Sequence, residues 1–251
     1  MSCVDIRGCR IGEGRPKVIL PIVERAEAAI LEKAAQFSTL QADCVEWRVD
    51  YFEGARAPGA VARCLAKMRV ILRDKLLLVT FRTKAESGEQ ALSHPEYLAF
   101  LRLILDTDCA DLLDIEFFTA GADLPNLVEQ AHSAGVAVVC SSHDFAKTPP
   151  RAELVCRMVQ MQQAGADLPK LAVMPRCRTD VLELLAATAE MADLHPETPV
   201  ITMSMGTLGA VSRLAGETFG SAMTFANPGQ ASAPGQVSLN IVNEVLDALH
   251  L

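Results

Sequence analysis

The chain has 251 residues, is 50% hydrophobic by residue count and carries a formal charge of −8 at pH 7. That length fits a single domain spanning residues 1–251 with one large core, in the size class of an α/β barrel. The acidic balance excludes a protein that tracks nucleic-acid phosphates with a basic stripe, and no apolar run reaches the roughly 18 residues that a membrane span needs.

The N-terminal stretch MSCVDIRGCRIGEGRPK lacks the apolar middle region of a signal peptide, so a cytoplasmic location is expected. Its turn-rich part, residues 4–14, is expected to form a hairpin that closes the bottom of the fold. Strand-like and helix-like segments then alternate to the end of the chain. The predicted strands are Val18–Ile22, Cys44–Asp50, Leu76–Arg82, Leu112–Phe117, Val136–His143, Lys170–Met174, Val200–Ser204 and Met223–Phe225. Helical periodicity falls between them at Glu24–Phe37, Ala60–Arg73, Pro95–Asp106, Leu124–Ala134, Ala152–Ala164, Arg178–Leu194 and Leu208–Ala215, and a last helix covers Val237–Leu249. Pro95 suits a first helical turn, while Gly135 and Gly165 suit helix stops. Strands alternating with helices require parallel pairing and right-handed crossovers. Eight such units predict a closed (β/α)8 TIM barrel. A doubly wound open sheet is the alternative, but no G-x-G-x-x-G turn follows the first strand.

The eight cysteines form no C-x-x-C pair and lie mostly in apolar surroundings, which fits buried thiols rather than a disulfide framework. The five histidines show neither H-E-x-x-H nor a Cys/His cluster, so no metal is expected.

Parity sorts the polar residues. In CVEWRVDY, Glu46, Arg48 and Asp50 share one face and Val45, Trp47, Val49 and Tyr51 the other. The apolar face should pack on helices and the charged face should point into the barrel. Thr80 with Arg82, Asp114 with Glu116, and Ser141 with His143 repeat the pattern. In LPKLAVMP, residues 168–175, Lys170 shares its face with Ala172 and Met174. A lysine in an otherwise apolar strand reads either as a frayed strand start reaching water or as an amine needed in a dry pocket. Buried ion pairs contribute little net stability, so charges converging from five strands point to a polar site.

Eight blocks of the sequence carry a resemblance to a known family: EWRVD (46–50), TFRTKAESGEQ (80–90), DIEFF (114–118), VVCSSHDFAKTP (138–149), GADLPKLAVMP (165–175), ITMSMG (201–206), SRLAGETFGSAMTF (212–225) and QASAPGQ (230–236). In order and spacing they resemble the type I 3-dehydroquinate dehydratases, the Schiff-base dehydratases of the shikimate pathway. The resemblance implies a homodimeric barrel that converts 3-dehydroquinate to 3-dehydroshikimate and water with no metal or cofactor. It implies Lys170 as the Schiff-base lysine, His143 as the general acid and base, and Glu86 as the histidine's support. It implies substrate contacts from Glu46, Arg48, Arg82, Arg213, Ser232 and Gln236, with Met203, Met205 and Phe225 walling the pocket. Three positions depart from the family pattern: Pro21 where some members have serine, Ser142 before the histidine, and the 205–209 loop, which lacks a Lys–Glu pair.

The chemistry agrees with the residue types. A ketone condensed with an amine becomes an iminium that accepts the electrons left when a neighbouring carbon loses a proton. The amine must be neutral to attack, and a dry setting, here expected from Leu168, Leu171 and Val173, favours the neutral form. Histidine titrates near neutrality and can both take and return a proton. Arg213 can grip a carboxylate bidentately, and the Gly- and Pro-containing 230–236 loop suits a lid. A class I aldolase, or a quinate-type ligand-binding protein without turnover, would share part of this residue set.

Overall fold

The computed structural model describes residues 2–229 and 235–250. Strands β1 (Val4–Ile6) and β2 (Cys9–Ile11) form an antiparallel hairpin. Its tight turn is built by Arg7 and Gly8, both at positive φ (51° and 81°), the backbone of a two-residue hairpin turn. The strands β3 (Lys17–Ile22), β4 (Cys44–Arg48), β5 (Leu76–Thr80), β6 (Leu112–Glu116), β7 (Ala137–Asp144), β8 (Leu168–Val173), β9 (Ile201–Ser204), β10 (Met223–Asn227) and β11 (Val237–Ser238) pair in parallel in the order β11-β10-β3-β4-β5-β6-β7-β8-β9. The sheet closes at the bottom, where Ala222 N–H donates to Val200 C=O at 2.8 Å. The result is a (β/α)8 barrel, not an open doubly wound sheet.

The alternation of faces sets two apolar layers. Outward residues such as Val45, Trp47, Leu171 and Val173 pack with the helices in one cluster. Inward residues at the strand starts, among them Ile19, Leu78, Leu112, Val139, Leu168 and Ile201, form a second cluster on the barrel axis. Ile11 of β2 is fully buried in this second cluster, with Ile6 and Cys9 beside it, so the hairpin plugs the barrel bottom as expected. Above that floor the inward positions turn polar.

Most helices lie where the periodicity puts them. His94–Leu105 carries Pro95 in its first turn and a Ser93–Glu96 capping box, and Gly135 and Gly165 follow their helices at φ 72° and 91°. Two expectations fail. The connection between β9 and β10 is not one helix over Leu208–Ala215 but two short turns, Val211–Leu214 and Gly216–Phe219. The final helix begins at Leu239, because Val237 and Ser238 pair with β10 instead. β4 and β5 each end two residues earlier than predicted. β4 ends at Arg48, and Val49–Tyr51 forms a 3-10 turn, while β5 ends at Thr80 and leaves Arg82 beyond it.

One device recurs at the bottom. Asp43, Asp111 and Asp167 each follow an alanine and precede β4, β6 and β8. Each accepts, at 2.7 Å, the backbone N–H of Val18, Leu77 or Val138 in the preceding strand. Each also donates its own N–H back to the carbonyl of that same residue. The carboxylates thus tie neighbouring strands together at the end of the barrel opposite the polar layer.

Asp43→Ala should leave the Val18 N–H without its acceptor. The expected loss is about 1–3 kcal/mol of stability, or about 2–4 °C in Tm for each kcal/mol, read by calorimetry. Turnover per folded molecule should be unchanged.

Candidate active site

Above the apolar floor, at the carboxyl ends of the strands, lies a cavity of about 240 Å³. That is smaller than the roughly 300–1,000 Å³ of pockets for drug-sized molecules, so it suits a small metabolite. Lys170, His143, Glu86, Glu46, Arg48, Arg82, Arg213, Gln236, Met203, Met205 and Phe225 all line it. Ser232 lies outside the described residues, as does most of the 230–236 loop. Ser87 and Phe145 also line the cavity, Ala172 lines it by sharing the face of Lys170, and Tyr51, which alternation put on the helix side, lines it because the 3-10 turn Val49–Tyr51 breaks that alternation.

Lys170 is the third residue of the six in β8, paired across to Ser141 and Ile201. It is not at a frayed end: only 3% of it is exposed. Its Nζ donates to Asp114 Oδ2 at 3.3 Å, lies 4.0 Å from Glu46 Oε1, and sits 4.8 Å from the centroid of the Phe225 ring. The expected apolar surround needs correction. Leu171 and Val173 face the helices, and the side chains on Lys170's own face are Leu168 below and Ala172 above. The amine is therefore excluded from water by the barrel floor and Phe225, and it is flanked by carboxylates.

Asp114 is the residue that the sequence reading left out of the site. It is fully buried and accepts from Arg82 Nη2 at 2.9 Å, from Ser141 Oγ at 2.7 Å and from Lys170. Burial pushes the Asp114 carboxyl up, but Arg82, Lys170 and the Ser141 hydrogen bond more than offset this and hold it below its ordinary value. The signal was present, since Asp114 shares inward parity with Glu116.

Arg82 gathers the remaining charges. Its Nη1 lies 3.0 Å from Glu116 Oε1, 3.0 Å from Ser141 Oγ and 3.3 Å from Glu86 Oε2. Its guanidinium is thus committed to three carboxylates, and it stays protonated because these outweigh its burial. Glu116 in turn accepts from the Thr83 N–H and hydroxyl at 2.8 and 2.7 Å, which fixes the start of the loop after β5. That loop doubles back tightly. A Cβ on Gly88 would lie 1.9 Å from the Arg82 carbonyl oxygen, so only glycine fits there. The turn returns Glu86 to the barrel mouth.

There Glu86 meets His143 near the end of β7. Glu86 Oε2 lies 2.7 Å from His143 Nδ1 and also accepts the His143 backbone N–H at 3.2 Å. An oxygen already taking N–H bonds from the His143 backbone and Arg82 is an acceptor. Nδ1 is therefore the protonated nitrogen, and the Nε2 lone pair is left for chemistry. Burial, then the charges of Arg82, Lys170 and Arg48, hold His143 well below its ordinary value, so the ring is neutral at pH 7. Burial pushes the Glu86 carboxyl up to about 8 against the pull of Arg82. A proton held there belongs on Oε1, which preserves the Nδ1–H donor. The His143 ring stacks on Phe145 at 6.3 Å between centroids.

Three further residues complete the wall. Glu46 accepts the Thr80 hydroxyl at 2.8 Å. Arg48 donates from Nε and Nη2 to the two oxygens of Asp50, each at 2.8 Å, and lies over the Tyr51 ring. Asp50 does not continue the strand, as parity suggested, but folds back through the 3-10 turn to hold Arg48. Arg213 is 2% exposed, and burial lowers its guanidinium to about 10, so it remains charged at neutral pH. Among the departures from the family pattern, Pro21 keeps inward parity next to Glu46. Ser142 faces the helices, where its hydroxyl accepts from Arg157 at 3.0 Å. Among the described residues no group of three or more His, Cys, Asp or Glu side chains is placed to hold a metal ion.

Comparison with known proteins shows the family. The family profile described as type I 3-dehydroquinase matches residues 18–251. The 3-dehydroquinate dehydratase of Bacillus licheniformis is 46% identical over 247 residues, covering 98% of this chain and 97% of that protein. The enzyme of the same name from Clostridium kluyveri is 47% identical over 246 residues, covering 98% and 96%. The crystal structure of type I 3-dehydroquinate dehydratase from Clostridium difficile, carrying covalently modified comenic acid, superposes with a TM-score of 0.96 at 42% identity over 99% of this chain and 98% of that one. With the profile spanning all of the barrel strands from β3 onward, the chain belongs to the type I 3-dehydroquinase family.

Proposed function

We propose that this protein dehydrates 3-dehydroquinate to 3-dehydroshikimate and water, with Lys170 as the covalent amine and His143 as the proton carrier. The observation that carries the reading is the arrangement of Lys170 on the dry floor of a cavity whose mouth holds a neutral imidazole oriented by the Glu86 carboxyl group.

The steps follow from those positions. Lys170 gives up a proton, its neutral Nζ adds to the substrate ketone, and return of a proton to the resulting carbinolamine oxygen lets water leave and gives an iminium. Nε2 of His143 takes a proton from the carbon beside the iminium carbon, and the electron pair moves to the nitrogen as an enamine. The enamine pushes out the neighbouring hydroxyl, which leaves as water with the proton that His143 returns. Hydrolysis of the remaining iminium frees the product and Lys170. Asp114 and Glu46 hold the amine in line before attack. Arg213 pairs with the substrate carboxylate, and Glu46, Arg48, Gln236 and Ser232 contact hydroxyls. Arg82 acts mainly by holding Asp114, Glu86 and Glu116 in place. Met203, Met205 and Phe225 give the apolar wall.

Family membership speaks against the aldolase alternative. The pairing of an amine with a neutral base speaks against a ligand-binding protein without turnover, which has no use for either. The reading includes a homodimer acting in the cytoplasm on a small molecule and no nucleic acid. The acidic net charge supports the last point, and among the described residues no helix is long and apolar enough to cross a membrane.

Replacement of Lys170 by Ala should remove all covalent adduct and nearly all turnover. Replacement of His143 by Ala should lower kcat by about 10²–10⁴-fold while the adduct accumulates, seen as added mass on the intact protein. Near-normal rates in both variants would sink the mechanism. The pH profile gives a second check. His143 acts as a base only when neutral, and its value is depressed, so kcat/KM should lose activity only well below pH 6.5 and stay level through neutrality. An acid limb at or above 6.5 would contradict the site described. Glu86 is raised from 4.5 to about 8, so the folded state binds the extra proton in that window. Its contribution to stability is present below the lower value and lost as pH rises through the upper one. Urea titrations of Glu86→Gln should therefore show a smaller loss of stability from pH 5 to pH 8 than the parent protein.

A further inference from the structure

The barrel ladder has one seam. Between β9 and β10 the described residues form no ladder; the two strands meet only at the bottom, in the Val200–Ser221 bridge and the Ala222–Val200 hydrogen bond. A regular barrel would give the outward-lying N–H groups of β9 to β10. Here side-chain hydroxyls take them. Thr202 N–H donates to Ser221 Oγ at 3.0 Å, and Ser204 N–H donates to Ser212 Oγ at 2.9 Å. Ser212 Oγ passes its own proton to the Gly209 carbonyl at 2.7 Å, so the hydroxyl is used as both acceptor and donor. On the other side of the seam, the Thr224 hydroxyl of β10 donates to the Arg213 carbonyl at 2.9 Å.

The short helix Val211–Leu214 is thereby wedged between two strands that would otherwise pair. Gly209 permits the close approach: a Cβ there would lie 2.3 Å from the Ser204 carbonyl oxygen. Arg213 rides on this wedge. Its side chain passes through the seam into the cavity, with Nη1 3.6 Å from Met203 Sδ of β9. A buried N–H without an acceptor is strongly disfavoured, so an open seam persists only because the two serines satisfy β9.

We propose that Ser212 and Ser221 are positioning residues for Arg213. Their hydroxyls replace the missing ladder, keep the seam open and fix the height at which the guanidinium enters the cavity. The proposal rests on the reading that Arg213 pairs with the substrate carboxylate. Neither serine lines the cavity, so neither touches substrate.

The test is a double-mutant cycle in steady-state kinetics on 3-dehydroquinate, using Ser212→Ala, Arg213→Ala and the pair, with Tm measured for each. Ser212→Ala should raise KM about tenfold with kcat within about threefold, and in the Arg213→Ala background it should raise KM no further. Should Ser212→Ala not give folded protein, Ser221→Ala acts on the same seam and carries the same expectation. A purely structural role would lower Tm and leave KM unmoved. A raised KM for Arg213→Ala beside an unchanged KM for the serine variants, or an undiminished serine effect in the Arg213→Ala background, would overturn the positioning role alone. An unchanged KM for Arg213→Ala would overturn the carboxylate reading and the positioning role with it.

Discussion

Asp114 stands fully buried between two cations, with Arg82 Nη2 at 2.9 Å from one oxygen and Lys170 Nζ at 3.3 Å from the other. Burial of any one of these charges alone would cost several kcal/mol. Together they satisfy one another, and each is also held by a neutral or charged neighbour: Ser141 on Asp114, Glu116 and Glu86 on Arg82, Glu46 near Lys170. The rest of the polar layer hangs on this arrangement. It is why an amine can stand in the middle of a barrel, on a floor of Leu and Ile side chains, without reaching water.

The barrel contributes what a loop could not. Lys170, Asp114, Ser141 and Glu46 all lie inside strands, so their spacing is fixed by the ladder rather than by side-chain choice. The groups proposed to handle protons sit one layer higher, where β7 nears its end and the loop after β5 returns. The two groups there are tuned in opposite directions. Burial holds His143 neutral and raises Glu86, so the pair keeps a base facing the cavity and a carboxyl behind it. In the proposed mechanism, substrate recognition enters by a third route, through the seam that carries Arg213. Covalent anchoring, proton transfer and binding would thus come from a strand interior, a strand end with its neighbouring loop, and a wedge between strands.

Much of this was legible from residue order alone. Period-two alternation placed Glu46, Arg48, Ser141, His143 and Lys170 inside, because a barrel packs one face of every strand on helices. The hairpin plug followed from a turn-rich segment before the first strand. The misses have local causes. Asp50 has the parity of a strand residue, but a 3-10 turn folds it back onto Arg48. The helical pattern at 208–215 breaks because Arg213 must point inward, against the period that would keep the polar face out. Asp114 looked like half of a repeated carboxylate pattern, since its importance lies in what approaches it from the loop after β5 and from β7 and β8, and those contacts have no trace in its own neighbourhood of the chain. The three Ala-Asp steps at the barrel bottom are a repeat too short to notice until the strands they join are seen side by side.

The chemistry proposed for this site stands on the covalent bond to Lys170. The most direct test is to add 3-dehydroquinate and sodium borohydride to the protein and map the modified peptide by mass spectrometry. An iminium reduced in place becomes a stable secondary amine. That chemistry predicts a single adduct on Lys170, with activity lost in step with its formation. No adduct while turnover continues, or an adduct on another lysine, would contradict it.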